Sequence, residues 1–578
     1  MSDTPAANRR QDAQAETPDT IGAFPRLSDE QIAVLLVRGQ RRTLTDGEVL
    51  IQPGEHPSSL YVVLEGHLLT ADTEPVADPR HSDEPLAVGV HGRGRFVGDV
   101  GLLEGQPSFV FVSAIGAAEV VEVPVDELEA IVTSDPLLGE IILRAYLIRR
   151  SLAIGAGAGL RIVGSCFSPQ TRDLLDFIAR NQLPHRLVDL DEDEKAERLV
   201  RQLGATVADF PLVILGGSRT VLDATPARLA EELGMRPPAP PATCDVVVVG
   251  GGPAGLAAAV YAASDGLSVY LCDAVATGGQ AGTSAKIENY LGFPAGISGT
   301  ELADRSLLQV RKFGATLDIP TTVQEVVEDE DRFRVIFEDG REVTSDVVVL
   351  ATGVRYRSLP AAGLDRFQTS NVFYAATAQE ARMCVDTPVA VVGGGNSAGQ
   401  AALFLARTSS RVHLVVRAAD LGAGMSRYLV DQIQHHPRIN VLLSSEVVEA
   451  HGGNRLEAIT VRHGDVLEKL PVGHVFVFVG AAPATTVLKV DVARDPDGYI
   501  LTGAEAELAG ARTEGSPRFS LETTIPGVFA IGDVRHGSVR RMTSAVGEGA
   551  SVVRQIHEYL NEGRHSRVCA GAPTSRDT

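Results

Sequence analysis

A glycine-rich turn between two hydrophobic strands most constrains what this chain can fold into. The valine run 246–249 predicts a buried strand, and Gly250, Gly252 and Gly255 follow it at G-x-G-x-x-G spacing. An alanine-rich helix comes next, and a second strand ends at Asp273. In such a unit the helix N-terminus faces a pyrophosphate and the acid accepts from a ribose hydroxyl. The predicted dinucleotide contacts are Gly250, Gly252, Pro253, Ala254, Gly255 and Asp273.

A second unit of the same kind begins near residue 388, and its second strand ends at Arg417 instead of an acid. An acid suits a free 2′-hydroxyl, whereas an arginine can pair with a 2′-phosphate. We therefore expect FAD on the first unit and NADPH on the second. A surface arginine without a ligand is the alternative at 417, and Arg427 is another candidate phosphate partner. The predicted contacts of the second unit are Gly393, Gly395, Asn396, Ser397, Ala398 and Arg417.

Three shorter motifs complete the predicted FAD site: a Gly-Gly-Gln turn after the first unit, an Ala-Thr-Gly strand end, and a Gly-Asp pair near the C-terminus. Asp533 of that pair can accept from a ribityl hydroxyl, although a capping aspartate is the alternative. The helix that follows Arg541 can direct N–H dipoles at the flavin pyrimidine. The predicted contacts are Gly279, Gln280, Asn289, Ala351, Thr352, Gly353, Gly532, Asp533, Arg541 and Ala545.

Length, charge and cysteine usage narrow the class of protein. A chain of 578 residues exceeds one hydrophobic core, so several modules are expected. Its formal net charge of −22 argues against a nucleic-acid or anionic-membrane surface. Neither a signal-peptide core nor an uninterrupted apolar run of about 18 residues occurs, which favours a cytoplasmic location. The five cysteines form no C-x-x-C, so we expect no zinc, no other metal and no disulfide framework.

The N-terminal part contains a polar tail, 1–22, and a module of short alternating strands, 23–150. This module resembles a cyclic-nucleotide-binding domain. In that family a cassette glutamate binds the ribose and a cassette arginine binds the cyclic phosphate. The matching stretch here, 98–108, has Asp99 and Ser108 at those positions. Because serine supplies no cationic clamp, we expect a degenerate regulatory or docking β-roll in which cyclic-nucleotide binding is disfavoured.

Residues 160–235 alternate strands and helices in an order that resembles the thioredoxin/glutaredoxin fold, including its proline before a strand, here Pro211. In that family the first helix begins at a C-x-x-C. The matching turn is Ser165–Ser168, which predicts serines at both cysteine positions. The single thiol nearby, Cys166, cannot exchange dithiols alone. A buried structural cysteine and a mixed-disulfide or glutathione-linked role remain its two interpretations.

The motifs from 243 to about 560 resemble a low-molecular-weight thioredoxin reductase: GGGPAG, GGQ, IENYLGFP, ATG, GGGNSAG and GD occur in that order. The resemblance implies non-covalent FAD, NADPH as hydride donor and a homodimer. It also implies a multidomain fold of a β-roll, an α/β thioredoxin-like module and two Rossmann-like α/β domains. The expected boundaries are a proline-rich linker at 236–243, an FAD domain in two parts at 244–357 and 485–562, an NADPH domain at 358–484, and a flexible tail at 563–578.

The chain departs from this family at the redox-active C-A-T-C segment, where Ala375 and Ala378 occupy the cysteine positions. Our main hypothesis is therefore that NADPH reduces FAD and that electrons pass to an unidentified acceptor: a redox protein, a quinone or oxygen. This hydride transfer needs no catalytic acid or base. Two alternatives remain: a disulfide reductase that uses Cys166 or Cys384 with a partner thiol, and a non-catalytic sensor of NADPH or redox state.

Overall fold

The computed structural model describes residues 16–570 except positions 20, 72–86, 99, 158, 167, 192–199, 201–205, 216–218, 238, 285, 330, 368–370, 375, 377, 454, 486–488 and 510–518. The chain divides into two compact units, Met1–Pro238 and Ala239–Thr578. None of the described helices has the length and apolar character needed to cross a membrane. Asp99 and Ala375, which the sequence analysis singled out, lie outside the described residues.

The first module of the N-terminal unit is an antiparallel roll of six strands, in which β3 and β6 pair over most of their length. Gly66 permits a bulge in β3, since its φ is +76° and a Cβ would lie 2.5 Å from the Ala117 carbonyl oxygen. The elements are α1 (Asp29–Arg38), β1 (Gln40–Leu44), β2 (Val49–Ile51), β3 (Ser59–Ala71), β4 (Ala87–His91), β5 (Phe96–Val97), α2 (Val100–Glu104), β6 (Phe111–Pro124), α3 (Val125–Ser134) and α4 (Pro136–Ala156).

Residues 16–19, which fall within the expected disordered tail 1–22, are described and pair with the roll. The Thr17 N–H donates to the Val90 carbonyl at 3.1 Å, and the Val90 N–H donates to Thr17 Oγ1 at 2.8 Å. Buried Arg95 also donates to the Thr17 carbonyl at 2.6 Å. Residues 16–19 thus satisfy backbone groups at the edge of β4. Their polar composition gives no sign of this pairing, because the hydrogen bonds are mostly made by backbone atoms.

The second module of this unit has a four-stranded sheet of order β10-β9-β7-β8, with β7 and β8 parallel and the other pairs antiparallel. The Phe210–Pro211 peptide bond is cis. The elements are β7 (Leu160–Gly164), α5 (Pro169–Arg180), β8 (His185–Asp189), β9 (Leu212–Leu215), β10 (Arg219–Val221) and α6 (Pro226–Glu232).

The start of α5 corrects one sequence expectation. Ser168 is the N-cap and accepts from the Thr171 N–H, so the helix begins at Pro169. A four-residue motif that opens this helix therefore runs from Ser168 to Thr171. Its first position is then Ser168, which the sequence analysis placed at the last cysteine position, and its last position is Thr171. Thr171 is fully buried against Gly164 and Pro211, in a place where a hydroxyl supports no thiol exchange.

The C-terminal unit is built on a seven-stranded sheet in which β13, β12, β11, β16 and β27 run parallel, while β14 and β15 extend it as an antiparallel pair. Apolar clusters cover both faces of this sheet, so its strands are hydrophobic along their length. The elements from the start of this unit to the end of β16 are β11 (Thr243–Val249), α7 (Pro253–Ser264), β12 (Val269–Cys272), α8 (Gly279–Gly282), α9 (Gly299–Lys312), β13 (Thr316–Asp318), β14 (Val323–Asp329), β15 (Arg332–Phe337) and β16 (Glu342–Leu350).

The chain then leaves this sheet through β17 (Val354–Tyr356) and returns through β26 (Ala481–Pro483), and these two strands pair with each other. Between them lies a five-stranded parallel sheet of order β18-β25-β19-β20-β21 and a three-stranded sheet, β22-β23-β24. The elements are β18 (Val372–Phe373), α10 (Ala378–Met383), β19 (Pro388–Val392), α11 (Asn396–Leu405), β20 (Arg411–Val415), α12 (Arg427–Gln434), β21 (Ile439–Leu442), β22 (Ser445–Gly452), β23 (Leu456–His463), β24 (Val466–Pro471) and β25 (His474–Val477).

The last elements are α13 (Gly503–Leu508), β27 (Val528–Ala530) and α14 (Met542–Ala570). Helix α14 continues to Ala570, into the segment from 563 that the sequence analysis predicts as a flexible tail. The helix-breaking residues of this region, Gly571 and Pro573, come only after that point.

Candidate cofactor sites

The first glycine-rich turn fits closely against the end of β16. Gly250 has a φ of +114°, and a Cβ there would lie 2.4 Å from the Ala351 carbonyl oxygen. A Cβ on Gly255 would lie 1.9 Å from the Gly250 carbonyl oxygen, so neither position accepts a side chain. Gly252, the N-cap of α7, has an ordinary φ of −72°. The nearest atom to a Cβ on Gly252 would be Gly279 Cα, at 4.0 Å.

The Asp273 carboxylate organises the backbone around this turn. One oxygen accepts from the Gly251 N–H at 2.7 Å, and the other accepts from the N–H groups of Val275 and Ala276 at 2.8 and 3.0 Å. The same side chain was predicted to accept from a ribose hydroxyl. A carboxylate has about four lone-pair positions and can accept from several groups at once.

The Gly-Gly-Gln turn and the Ala-Thr-Gly strand end lie beside the first turn. Gly279 has a φ of +52° and approaches Gly252, while Gln280 Nε2 donates to the Val354 carbonyl at 3.3 Å. The structure thus brings together predicted residues from three separate segments. Asn289 is exposed and has no hydrogen bond to these segments among the contacts of the described residues.

The Gly-Asp pair completes this arrangement from the far end of the chain. Gly532 has a φ of +71°, and a Cβ there would lie 2.9 Å from Ala254 Cβ and 4.0 Å from Ala545 Cβ. Residues in the first turns of α7 and α14 therefore pack against this glycine. Burial raises the pKa of Asp533, and Glu548 raises it further, whereas the Arg540 charge lowers it.

These residues fit FAD by two independent observations. Thr352 Oγ1 is buried without a hydrogen-bond partner in the described part of the chain, and such a group normally meets a ligand or water. A Cβ on the adjacent Gly353 would meet nothing within 4 Å, so space remains at the strand end. Gly252, Thr352, Asp533 and the two helix N-termini would hold the dinucleotide.

The second glycine-rich turn has the same construction against β25. Gly393 has a φ of +146°, and a Cβ there would lie 2.4 Å from the Phe478 carbonyl oxygen. Ala398 is fully buried in the helix that follows. Asn396 Oδ1 accepts from the Ser426 N–H at 2.7 Å, so this side chain holds the loop before α12. Ser397 occupies the first turn of α11, and a Cβ on Gly395 would face Gly424 at 3.9 Å.

The two candidate phosphate partners differ in their surroundings. Arg417 is exposed at the end of β20 and forms no ion pair among the described residues. Arg427 is 84% exposed and pairs with Asp431 on its own helix at 2.9 Å. Of the two, Arg417 therefore has the guanidinium that is free to meet an anion beside the glycine turn.

Sequence reasoning missed a set of charged and aromatic residues around the Gly-Asp turn. Glu548 accepts from both Gly532 and Arg535, and Arg540 lies 5.0 Å above the Tyr499 ring and donates to its hydroxyl. The only available signal was the density of arginines after Asp533. Neither Glu548 nor Tyr499 carries a motif of its own.

The family model of pyridine nucleotide-disulphide oxidoreductases matches residues 244–549. The thioredoxin reductase of Debaryomyces hansenii is 33% identical over 330 residues, which cover 55% of this chain and 98% of that protein. This chain belongs to the thioredoxin reductase family. The enzyme of Pneumocystis carinii is 35% identical over 55% of this chain and 96% of its own length.

A solved structure agrees with this membership. The T. acidophilum thioredoxin reductase is 26% identical, with a TM-score of 0.50, and covers 56% of this chain and 99% of its own. The thioredoxin reductase family uses FAD and NADPH, and the chain is an NAD(P)H-dependent FAD oxidoreductase. A cyclic nucleotide-binding domain model matches residues 41–135, so the roll resembles that family as expected. The predicted fold class is thereby confirmed.

Proposed function

We propose that this protein is a reductase that takes electrons from NADPH through FAD to an external acceptor without a redox-active dithiol. Bound FAD would supply the electron-transfer chemistry, and the chain would supply orientation and electrostatics. The environment of its cysteines carries the proposal, since a flavin-linked disulfide exchange requires an accessible thiolate.

Cys244, Cys272 and Cys384 of the C-terminal unit are buried and poorly ionisable. Burial raises the pKa of the Cys244 and Cys384 thiols to about 12, and it raises that of Cys272 well above its usual range. The thiols of Cys244 and Cys272 are directed to backbone carbonyls within their own sheet. At neutral pH these groups remain protonated and behave as small apolar side chains.

The segment that corresponds to the family's dithiol lies near the Gly-Gly-Gln turn of the predicted FAD site. Ala376 is buried and forms a parallel bridge with Ser284, two residues after α8. Its neighbours in the sequence are Ala375 and Thr377. An alanine-rich segment at this place supports flavin burial but supplies no electron-accepting sulfur.

We do not assign cyclic-nucleotide binding to the roll. Ser108, at the position of the family's arginine, is 4% exposed, and its hydroxyl donates to the Val110 carbonyl at 3.0 Å. Its backbone is also fixed, because its N–H donates to Glu55 and its carbonyl accepts from Gly54. The position therefore offers neither a charge nor a free hydroxyl to a phosphate.

Cysteine replacement tests the proposal against its thiol-dependent alternative. We expect the Cys166→Ser and Cys384→Ser proteins, singly and combined, to reduce dyes, quinones and oxygen with NADPH at wild-type rates. Reduction of a thioredoxin disulfide should be absent in all of them. NADPH-dependent thioredoxin reduction that disappears with either replacement would refute the proposal. A wild-type protein whose FAD is reduced but not reoxidised by any acceptor would favour a sensor instead.

The family resemblance also supports a homodimer as the functional form. Sedimentation equilibrium should give twice the chain mass of 61.1 kDa. A single species at the chain mass would contradict it.

A further inference from the structure

One carboxylate holds the whole turn that carries Asp533. Glu548 lies in α14, and its Oε2 accepts from the Gly532 N–H at 2.6 Å. Its other oxygen accepts from Arg535 Nη2 at 2.6 Å, and Arg535 Nε lies 3.4 Å from Oε2. Gly532–Val534 is a single helical turn, so Glu548 binds its first residue and the residue just after it.

The position of this turn matters because Gly532 packs against Ala254 and Ala545, in the first turns of α7 and α14, beside the predicted FAD contacts. The approach of Gly532 to Ala254 and Ala545 leaves little tolerance in its placement. Backbone bonds also hold its two ends: the Ile531 N–H donates to Leu350 at the end of β16, and the Ile500 N–H donates to Val534. Glu548 adds the only side-chain bond to the Gly532 N–H among the described residues.

The Glu548–Arg535 pair is also well shielded, with side chains 16% and 19% exposed. A charged hydrogen bond in such a place is stronger than a surface ion pair, and loss of one partner leaves the other charge uncompensated. Glu548 is close enough to Asp533 to raise the pKa of its carboxyl. The Glu548 charge therefore acts on Asp533, and the opposite charge of Arg535 compensates for it.

We propose that Glu548 is a positioning residue for FAD: it fixes the Gly532–Val534 turn so that Asp533 faces the cofactor, while Arg535 neutralises its charge. This inference rests on the proposed use of Asp533 as a flavin contact. It assigns no contact between Glu548 and the cofactor, and no step of the reaction.

The first readout is FAD affinity, measured by flavin fluorescence as FAD is added to the full-length apoprotein. Glu548→Gln retains an oxygen for the Gly532 N–H but loses the ion pair, so we expect affinity to fall about tenfold, with a larger loss for Glu548→Ala. The matched control is Glu558→Gln, on the same helix, whose carboxylate pairs with 86%-exposed Arg554. The control should bind FAD as the wild type does.

The second readout tests whether the charges of Glu548 and Arg535 act at the cofactor, which a role in the stability of the fold alone would not produce. In the FAD-loaded protein, reduction adds negative charge at the flavin, so removing the Glu548 charge should favour the reduced form. Removing the Arg535 charge with Arg535→Gln should disfavour it. Equilibration with a two-electron dye should therefore move in opposite directions, by about threefold each, in the two variants.

The outcomes are distinguishable. A wild-type protein that binds no FAD overturns the cofactor assignment and this inference with it. A wild type that binds FAD, together with Glu548→Gln and Arg535→Gln proteins of wild-type affinity, overturns the positioning role alone. Dye equilibria that move in the same direction in both variants also overturn it, because general loosening of the fold has no reason to follow the sign of the charge removed.

Discussion

Replacing Gly252 by alanine should separate cofactor binding from folding. The backbone of Gly252 has a φ of −72°, which alanine adopts without strain, and the nearest atom to the new Cβ would be 4.0 Å away. Alanine is a poorer N-cap than glycine by about 0.5 kcal/mol. It also lowers the conformational entropy of the unfolded chain, which stabilises the folded state by a similar amount. The free energy of unfolding should therefore change by less than about 1 kcal/mol.

The same methyl group would occupy the surface where a pyrophosphate must approach the backbone. We expect FAD affinity to fall about 100-fold, which corresponds to about 2.7 kcal/mol. Gly266→Ala provides the control, because Gly266 ends the same helix in open space at a φ of +89°. It should cost about 1 kcal/mol of stability and leave FAD affinity unchanged.

Two measurements on the apoproteins decide the outcome: thermal unfolding and flavin fluorescence titration. Gly250→Ala, by contrast, should fail to fold normally, since its Cβ would meet the Ala351 carbonyl oxygen at 2.4 Å. A Gly252→Ala protein that is stable and binds FAD as tightly as the wild type would refute the placement of the pyrophosphate at this turn.

Substitutions at Arg417, His91 and Phe109 should each change one measurable property. Arg417→Glu should raise the KM for NADPH at least tenfold and leave that for NADH nearly unchanged, whereas Arg427→Glu should do little; equal effects on both coenzymes would exclude a 2′-phosphate contact at 417. Burial and the charges of Arg149 and Arg95 lower the pKa of His91, so protonation of this side chain favours the unfolded state. The free energy of unfolding should therefore fall by about 1.4 kcal/mol per pH unit below pH 6.5. The His91→Gln protein, unfolded in buffers from pH 7 to 5, should lack this pH dependence. Phe109→Ala should cost about 3–5 kcal/mol and weaken hydrogen-exchange protection in both N-terminal modules, because Phe109 follows the cassette yet packs in the core of the second module; loss confined to the roll would contradict this packing.

The sequence alone was sufficient for features encoded within a short span. Gly250 and Gly393 were predicted from local spacing, and both have a positive φ and a carbonyl oxygen where a side chain would be. Such turns depend on neighbouring residues, so a pattern of about 30 residues describes them.

Contacts between distant segments were not predictable in this way. Ala254 meets Gly532, and Glu548 binds the turn beside them, because the final helix packs across α7 where Gly549 approaches the Ala254 carbonyl oxygen. The pairing of Thr17 with Val90 has the same character, since its partners are mostly backbone atoms that every residue possesses. A threonine instead of a serine at the end of the α5 motif followed from the helix start, which sequence patterns place only within a few residues.

We expect NADPH to reduce the flavin of this protein without help from a thiol. Anaerobic mixing of the FAD-loaded, full-length protein with NADPH and, separately, with NADH tests this, while the flavin absorbance near ~450 nm is followed. We expect rapid bleaching by NADPH, slower bleaching by NADH, and no long-wavelength band of the kind that a thiolate beside the flavin produces. Bleaching by neither coenzyme, or a long-wavelength band that disappears in the Cys384→Ser protein, would contradict it.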